Sequence, residues 1–365
     1  DFLSPIIERR RVRELAEGAL HGAHPVFQRI LDFLLDVDGL LADAEREVDA
    51  GHRRQMAVAE VSLDAERTAA LETAAEAWLL DYLAWAKSGE RRPTAFVPRA
   101  APGSRRIVDP FISFCYDLLH FCAAAEERGD HMTALLRRGA DSEDVSLKIF
   151  CKDPSRYLAS RHRRFHTVVA MSATLEPLPF FADELGLSRL RRWERCAFPS
   201  PFPPKNRRVV IDRSVSTRFK DRDENLPAVC QRVAALATLH PGNYLAFFPS
   251  YALLETGALL IQAAGRGVRV VRQTRQGGAA PVLRQLEDAA AARRDGDGPS
   301  VVACVVIGGA LSEGVDFRGD LACGAFIFGP GLPAVTDERQ LIQEYYDRER
   351  GMGFEYAFLY PGLAR

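Results

Sequence analysis

The chain has 365 residues, enough for two or three domains that each bury their own hydrophobic core. Hydrophobic residues make up 47% and charged residues 27%, values ordinary for a globular protein, and no run of about 18 apolar residues predicts a membrane span. The formal net charge of −1 provides no overall field that would attract nucleic acid or a membrane surface, so any site for a polyanion has to be local.

The first residues of the chain, Asp1 onward, contain neither an initiator Met nor a signal-peptide pattern, so we interpret the chain as a segment of a longer polypeptide. The seven cysteines include no C-x-x-C pair, and several stand in apolar runs. This pattern predicts reduced core thiols and a cytoplasmic protein. No metal site is expected, because His21 and His24, although three residues apart, are separated by Gly22 and followed by Pro25.

Residues 1–145 have the pattern of helices throughout. The segment 64–87 is rich in Ala, Leu and Glu with apolar residues at helical spacing, and Ser62 or Asp64 can cap its start. A second strong helix is predicted over 109–128, where an Asp-Pro pair supplies a cap and a first helical residue.

After residue 145 short β-branched runs alternate with helical stretches. The predicted strands are 166–172, 207–212, 243–250, 267–273, 300–309, 323–330 and 354–361, and the predicted helices are 224–239, 251–264, 280–293 and 335–349. Apolar strands that alternate with helices indicate an α/β domain with a parallel sheet covered on both faces. In such sheets ligands bind at the carboxyl ends of the strands.

Polar residues end two of these predicted strands. Ser172 and Thr174 close the first, where two small hydroxyls can relay hydrogen bonds between ligands, although Ser-Ala-Thr can equally well do no more than cap a helix. Ser250 closes the strand 243–250 and is a good N-cap for the next helix. A helix N-terminus suits a phosphate, but a cap without a ligand is an equally good interpretation.

The stretch "GGALSEGVDF", residues 308–317, follows the most apolar predicted strand. Gly308 and Gly309 permit a tight exit from the strand, and Gly314 permits close approach of the backbone to a ligand. Glu313 and Asp316 are costly to bury unpaired, so they need a basic partner, a ribose hydroxyl or backbone amides. A capped turn with a salt bridge is the alternative.

The order S-A-T-L, F-F-P-S and S-E-G-V-D-F resembles motifs III, IV and V of superfamily 2 DNA helicases, specifically their XPD/DinG-like branch. Three further segments agree with this resemblance: "KIFCKDPSRYL" (148–158), the S-P-F stretch within 198–211, and "STRFKDRDEN" (216–225). The match covers residues 148–365. For residues 1–147 only position and helicity resemble the arch insertion of these helicases.

The resemblance implies a domain order. Residues 1–147 would be a helical arch-like insertion, 148–200 the end of the first RecA-like motor domain with a linker, and 201–365 a second RecA-like motor domain cut before motif VI. The sequence contains no G-x-x-x-x-G-K-[ST] loop, no D-E-A-H box and no Q-x-x-G-R-x-x-R motif. The family places these outside such a segment, together with a possible iron–sulfur cluster. ATP and Mg²⁺ would therefore be held mainly elsewhere, and the isolated chain is expected to be inactive as an ATPase.

The implied full-length protein is a monomeric, ATP-dependent 5′→3′ DNA helicase that moves on single-stranded DNA, with a role in DNA repair and no membrane association. The implied coupling residues are Ser172, Thr174, Glu313, Gly314 and Asp316, and the implied DNA contacts are Ser250, Arg218 and Arg222. For the two arginines a solvated surface role is the alternative. Phe247 and Phe317 either stack on bases or pack in the core. The basic runs 9–13 and 161–165 either line a passage for the strand or are solvated faces.

Two other functions remain open from the sequence. A non-catalytic RecA-like accessory module for nucleic acid or a partner protein would also lack the phosphate loop and motif VI. A sugar-nucleotide transferase with two Rossmann-like domains would explain the sheet but not the order of the motifs.

Overall fold

The computed structural model describes residues 5–51, 57–100, 107–126, 129–141, 143–172, 175–218, 220–296, 298–312 and 314–363. The helices are α1 (Arg9–Leu20), α2 (Pro25–Ala50), α3 (Ala65–Ala86), α4 (Pro110–Glu126), α5 (Ser155–His162), α6 (Leu178–Glu184), α7 (Arg222–Leu239), α8 (Tyr251–Ala264), α9 (Ala280–Arg294), α10 (Asp337–Arg350) and α11 (Tyr360–Leu363). The strands are β1 (Ile7–Glu8), β2 (Val58–Val61), β3 (Arg99–Ala100), β4 (Ile107–Val108), β5 (Met132–Arg138), β6 (Val145–Cys151), β7 (Asn243–Phe248), β8 (Val268–Arg272), β9 (Ser300–Val306) and β10 (Gly324–Ile327).

The chain forms two compact units. The first consists of Asp1–Val169, Phe181–Arg191 and Gln340–Gly351, and the second of Ala170–Phe180, Arg192–Arg339 and Met352–Arg365. The domain boundaries expected from the sequence, after residues 147 and 200, follow the motor domains of the helicase family and stay a prediction.

The first unit combines α1–α4 with an antiparallel sheet. Its strands lie in the order β1-β6-β5-β2, with Leu135 opposite Lys148 and Val61 opposite Ala134. Helices α1–α4 and the sheet bury one continuous apolar cluster, in which Leu34, Leu41 and Phe111 are fully covered. The predicted helices over 64–87 and 109–128 are confirmed, but the expectation of helix throughout residues 1–145 missed this sheet.

Two predicted helix caps in the first unit are formed. The Asp64 carboxylate accepts the backbone N–H of Glu66 at 2.9 Å. The Asp109 carboxylate accepts the backbone N–H groups of Phe111 and Ile112 at 3.0 and 3.2 Å, and so satisfies amides that an uncapped helix would leave unpaired.

The basic run 9–13 is paired within the first unit. Arg9 is only 5% exposed and lies between Asp38 and Glu45. The other arginines of the run form ion pairs as well: Arg10 with Glu14, Arg11 with Asp117, and Arg13 with Asp38 and Glu143. The run therefore ties α1 to its neighbours, and neither a solvated face nor the lining of a passage describes the buried Arg9.

The second unit contains a parallel sheet with strand order β10-β7-β9-β8. The central strand β9 alternates between two apolar clusters. Val302 and Cys304 pack with α7 and α8, whereas Val301, Ala303 and Val305 pack with α9. Helices therefore cover both faces of the sheet, as the continuous apolar strands predict. The predicted α/β class, with a parallel sheet covered by helices and preceded by a largely helical region, is confirmed.

Three of the predicted strands do not form. Residues 167–172 and 207–213 form neither strand nor helix, and Val169, Met171 and Ile211 are 74%, 86% and 80% exposed. Residues 355–359 form a π-helical turn that continues into α11. An apolar β-branched run is only a candidate strand, because a strand also needs a hydrogen-bonded neighbour.

The seven cysteines are free thiols, five of them buried or half-buried and two, Cys196 and Cys323, exposed. Burial raises the pKa of Cys115, Cys122, Cys230 and Cys304 to about 12, so these thiols stay protonated at neutral pH. Among the described residues, no helix is long and apolar enough to cross a bilayer.

Candidate functional site

Strands β7 and β9 end side by side in the second unit. Phe248 is opposite Val306 in the parallel register, and the N–H of Ile307 donates to the carbonyl of Phe248 at 2.9 Å. Beyond this point β7 leads into Pro249 and α8, and β9 leads into a turn that begins at Ile307 and contains Gly308. Polar residues from two separate motifs thus leave the same edge of the sheet, which is where ligands bind in parallel α/β folds.

Ser250 caps α8 as predicted. Its backbone is extended, with φ of −155°, and its hydroxyl accepts the N–H of Leu253 at 3.3 Å. The first-turn amides of a helix have no partner within the helix and carry a partial positive charge. The N-terminus of α8 is therefore chemically suited to a phosphate, and a DNA contact by Ser250 stays a prediction.

Glycines shape the turn after β9. Gly308 and Gly314 have φ of +72° and +73°, in the left-handed region that favours glycine. At Gly309 a Cβ atom would lie 2.9 Å from both the Gln273 side chain and the Val306 carbonyl, too close for a side chain. At Gly314 no described atom lies within 4 Å of the Cβ position, so the backbone there faces open space.

The buried amide of Gln273 braces this turn. Its side chain is 2% exposed, and its Oε1 accepts the N–H of Val306 at 3.0 Å. Its backbone N–H donates to Cys304, and the Ser312 hydroxyl donates to the carbonyl of Val306, both at 3.0 Å. Both the N–H and the carbonyl of Val306, the last residue of β9, therefore have a side-chain hydrogen-bond partner. Sequence reasoning missed Gln273, and its only signal was a polar residue at the end of the apolar strand "VRVVRQ".

Asp316 points outward from the turn. Its side chain is 72% exposed and accepts a hydrogen bond from Arg318 Nε at 2.7 Å, which raises the pKa of the guanidinium. The flanking residues Val315 and Phe317 are partly buried against the cluster that β9 forms with α9. The Asp316 carboxylate is therefore exposed to solvent while the side chains on either side of it are packed against the core. The salt bridge weighed as an alternative is present, and Glu313 lies outside the described residues.

The remaining predicted site residues are not brought to this edge by any described contact. Ser172 is exposed in a segment without regular secondary structure, and Thr174 lies outside the described residues. Arg218 is exposed, and its carbonyl accepts the N–H of Asp221 and of Arg222 at 2.9 Å. Arg222 is the first residue of α7, with its Nε 3.5 Å from a carboxylate oxygen of Asp223.

Phe247 and Phe317 both pack against the cluster between the sheet and α9, so core packing accounts for both rings. In the part of the chain that the structure describes, no group of three or more His, Cys, Asp or Glu side chains is arranged to hold a metal ion.

The comparisons with known proteins agree with the geometry of the second unit. Residues 233–365 match the model of the Helicase C-terminal domain family. The chain is 24% identical over 220 residues to a "Regulator of telomere elongation helicase 1 homolog" from Culex quinquefasciatus, which covers 56% of this chain and 22% of that protein. It is 23% identical over 217 residues to the "ATP-dependent DNA helicase chl1" of Neosartorya fischeri, which covers 53% of this chain and 25% of that protein.

A solved structure described as "Structure of S. tokodaii Xpd4" aligns with 100% of this chain and 62% of that chain, with a TM-score of 0.48 and 15% identity. The chain spans between 22% and 25% of the length of the two helicase relatives named above. The resemblance predicted from motifs III, IV and V is confirmed: the chain is similar to a segment of XPD-like superfamily 2 DNA helicases, with the Helicase C-terminal domain matched over residues 233–365.

Proposed function

We propose that the chain is a segment of an ATP-dependent DNA helicase that moves 5′→3′ on single-stranded DNA and unwinds duplexes. The observation that supports this most directly is the shared carboxyl edge of β7 and β9, from which a helix N-terminus and a glycine-shaped acidic turn both leave. A motor needs one surface that touches both a nucleotide and a strand, and this edge combines a phosphate-suited helix end with an exposed carboxylate.

In this proposal the described residues of the turn have separate roles. The exposed carboxylate of Asp316 accepts hydrogen bonds from a ribose or a basic partner, while the open space at Gly314 lets a ligand approach the backbone. Ser250 presents the first-turn amides of α8 to a backbone phosphate. Contacts to backbone alone suit a motor that does not depend on sequence.

The other coupling and DNA contacts rest on the family pattern. Ser172, Thr174 and Glu313 would connect nucleotide state to the grip on the strand, and Arg218 and Arg222 would face the strand. The exposed guanidinium of Arg218 is accessible to a phosphate, whereas Arg222 already contacts Asp223.

The residues present fit ATP only in part. The open backbone at Gly314 and the N-terminus of α8 are compatible with phosphate groups, but the sequence contains no phosphate-loop lysine and no D-E-A-H acid to hold Mg²⁺. ATP, when bound, would supply the free energy of phosphoryl transfer. In this proposal the missing groups, and a possible iron–sulfur cluster, belong to other parts of a longer, cytoplasmic, monomeric polypeptide. The isolated chain should therefore show no ATPase activity.

The test uses the full-length polypeptide that contains this chain. We expect ATPase activity stimulated by single-stranded DNA, and we expect Asp316→Ala to lower the stimulated kcat by roughly 100-fold or more, the scale at which a misplaced active-site group acts. Asp320→Ala is the matched control, because Asp320 is another exposed aspartate four residues further on.

Arg318→Ala separates the acid from its ion pair: if only Asp316 matters, this variant keeps most of the activity. Strand displacement on duplexes with a 5′ or a 3′ overhang tests the direction. A full-length protein with no DNA-stimulated ATPase activity would instead favour the accessory module, and unchanged kcat in the Asp316 variant would remove Asp316 from the mechanism.

A further inference from the structure

Residues Arg192–Arg213, named here the exposed segment, are exposed at every position. The segment contains no strand, and its only helical element is the short turn Pro204–Asn206. A stretch of this length that covers no core is expected to consist of small and polar residues. This one does not.

Basic residues dominate the charge of the exposed segment. Its basic residues are Arg192, Arg195, Lys205, Arg207, Arg208 and Arg213, and its acidic residues are Glu194 and Asp212. Both acids are engaged: Glu194 with Arg192 at 2.8 Å, and Asp212 with Arg232. Arg195, Lys205, Arg207 and Arg208 form no ion pair with any side chain in the described part of the chain. A local positive field thus exists on a chain of net charge −1.

Three aromatic rings lie among these cations: Trp193 between Arg192 and Arg195, and Phe198 and Phe202 between Arg195 and Lys205. Phe198 and Phe202 are 87% and 78% exposed, and Trp193 is 40% exposed. By contrast, Phe248 in the core of the same unit is fully buried. Exposed rings cost free energy unless something covers them, and a group of such rings marks a binding surface.

We propose that the exposed segment binds single-stranded nucleic acid, with Trp193, Phe198 and Phe202 stacking on bases and the unpaired cations contacting phosphates. Exposed rings flanked by basic residues match this polymer, because each nucleotide offers one flat apolar face and one negative charge. A duplex fits less well, since its bases are already stacked on each other. The inference rests on the proposed function for the identity of the polymer as DNA.

The prolines of the exposed segment favour this role. Pro199, Pro201, Pro203 and Pro204 fix their φ angles, so the chain between the rings loses less conformational freedom when a ligand orders it. A flexible linker of glycine and serine would have to be ordered at greater entropic cost.

The first experiment measures binding of a fluorescein-labelled oligothymidine to the 365-residue chain by anisotropy. We expect Phe198→Ala and Phe202→Ala each to weaken binding about fivefold or more, the lower end of the effect of removing one stacking ring. Tyr116→Ala is the control, because Tyr116 is an aromatic residue of the first unit that is 53% exposed.

The second experiment removes charge. The triple variant Lys205→Ala/Arg207→Ala/Arg208→Ala should lower the slope of log K against log salt by about 2, because each phosphate contact on a single strand contributes about 0.7. The matched control changes three exposed arginines outside the segment, Arg266, Arg284 and Arg348, and so alters net charge equally. Its slope should stay at the wild-type value.

Trp193 supplies a direct readout of stacking. The other two tryptophans, Trp78 and Trp85, pack in or against the core of the first unit, so quenching of fluorescence by oligothymidine should come from Trp193 alone. Trp193→Phe should abolish the quenching and retain binding, because a phenyl ring still stacks.

Three results would overturn the inference. They are no oligothymidine binding by the chain, equal affinities of the ring variants and the Tyr116 control, or capture of the segment by phosphatidylserine vesicles but not by oligothymidine. None of these results would touch the proposed function, whose own test is the ATPase activity of the Asp316 variant in the full-length protein.

Discussion

Gly314 illustrates how one residue type can be required by backbone geometry alone. Its φ is +73° and no described atom crowds its Cβ position, so an added side chain would meet a conformational penalty and not a clash. We predict that Gly314→Ala lowers the free energy of unfolding by about 1 kcal/mol, and that Gly314→Asn lowers it less, because Asn tolerates the left-handed region. Urea unfolding measures both, and equal stability of all three proteins would show that the turn relaxes.

Glu184 is a half-buried acid in the first unit with a raised pKa. Its Oε1 accepts a hydrogen bond from the Tyr346 hydroxyl at 2.6 Å. Burial is the main cause that raises the pKa to about 7, the charges of Asp153 and Asp183 act in the same direction, and the Tyr346 hydrogen bond and Arg350 oppose them. The folded unit therefore holds a proton on Glu184 at pH values where the unfolded chain has lost it.

The sign of the pH dependence follows from this difference. Between about pH 4.5 and 7 the folded state binds more protons at Glu184 than the unfolded state, so this group's contribution to stability falls as pH rises, by at most ~1.4 kcal/mol per pH unit. We predict that Glu184→Gln reduces this decline, whereas Glu14→Gln, at an exposed glutamate, leaves it unchanged. Urea unfolding of the first unit at pH 5 and pH 8 measures the change in the free energy of unfolding with pH for each variant. An unaltered pH profile in Glu184→Gln would contradict the assignment.

At the level of single residues, the sequence predicts the features that depend only on neighbouring residues, such as helix caps and turn glycines. Ser250 as a cap and the glycines at 308 and 314 follow from short-range patterns. Gln273 and Arg9 do not, because the groups that they bind lie far away in the sequence: Val306 is 33 residues from Gln273, and Asp38 is 29 residues from Arg9. Pairing of this kind is set by packing and leaves no periodic signal.

At the scale of elements, Gln273 joins the ends of β8 and β9. We predict that Gln273→Ala lowers the free energy of unfolding of the second unit by about 1–3 kcal/mol, because the buried N–H of Val306 loses its acceptor. Gln273→Glu keeps an acceptor oxygen and should be milder. Gln285→Ala is the control, since Gln285 is only half-buried and accepts a solvent-exposed hydrogen bond from Arg269 at 3.0 Å. If chemical denaturation showed that Gln273→Ala and Gln285→Ala lower the free energy of unfolding equally, the hydrogen bond from Val306 to Gln273 would not be stabilising the turn.

Element prediction from the sequence succeeded where pattern and pairing agree. Strands β7–β10 and helices α7–α10 lie close to their predicted bounds, because each strand finds a neighbour and each helix covers a face. The segment 354–361 has aromatic residues at alternate positions and was predicted as a strand. Instead Tyr356 and Tyr360 fold back helically onto Phe180, with ring centroids 5.2 and 5.1 Å from it. Because Tyr356 and Tyr360 are four residues apart, a helical conformation places both rings on the same side, where they contact Phe180.

At the scale of the molecule, each unit has a separate apolar core. The largest cluster of the first unit lies between α1–α4 and its antiparallel sheet, and the clusters of the second unit lie on the two faces of its parallel sheet. A unit with its own core can open without loss of the other core. The two destabilising changes argued above, at Gly314 and Gln273, both lie in the second unit.

We therefore predict that Gln273→Ala raises amide hydrogen exchange in β9 and its neighbours but leaves the protection of α2 and α3 unchanged. The reason is that the lost hydrogen bond to Val306 weakens only the core through which β9 runs. A matched change in the first unit, Leu34→Ala at a fully buried position of α2, should produce the opposite pattern, because it opens a cavity in that core alone. Exchange followed by mass spectrometry measures both variants at the same pH and temperature. If either variant raised exchange to a similar extent in β9 and in α2, the two cores would form a single cooperative unit and the prediction would be wrong.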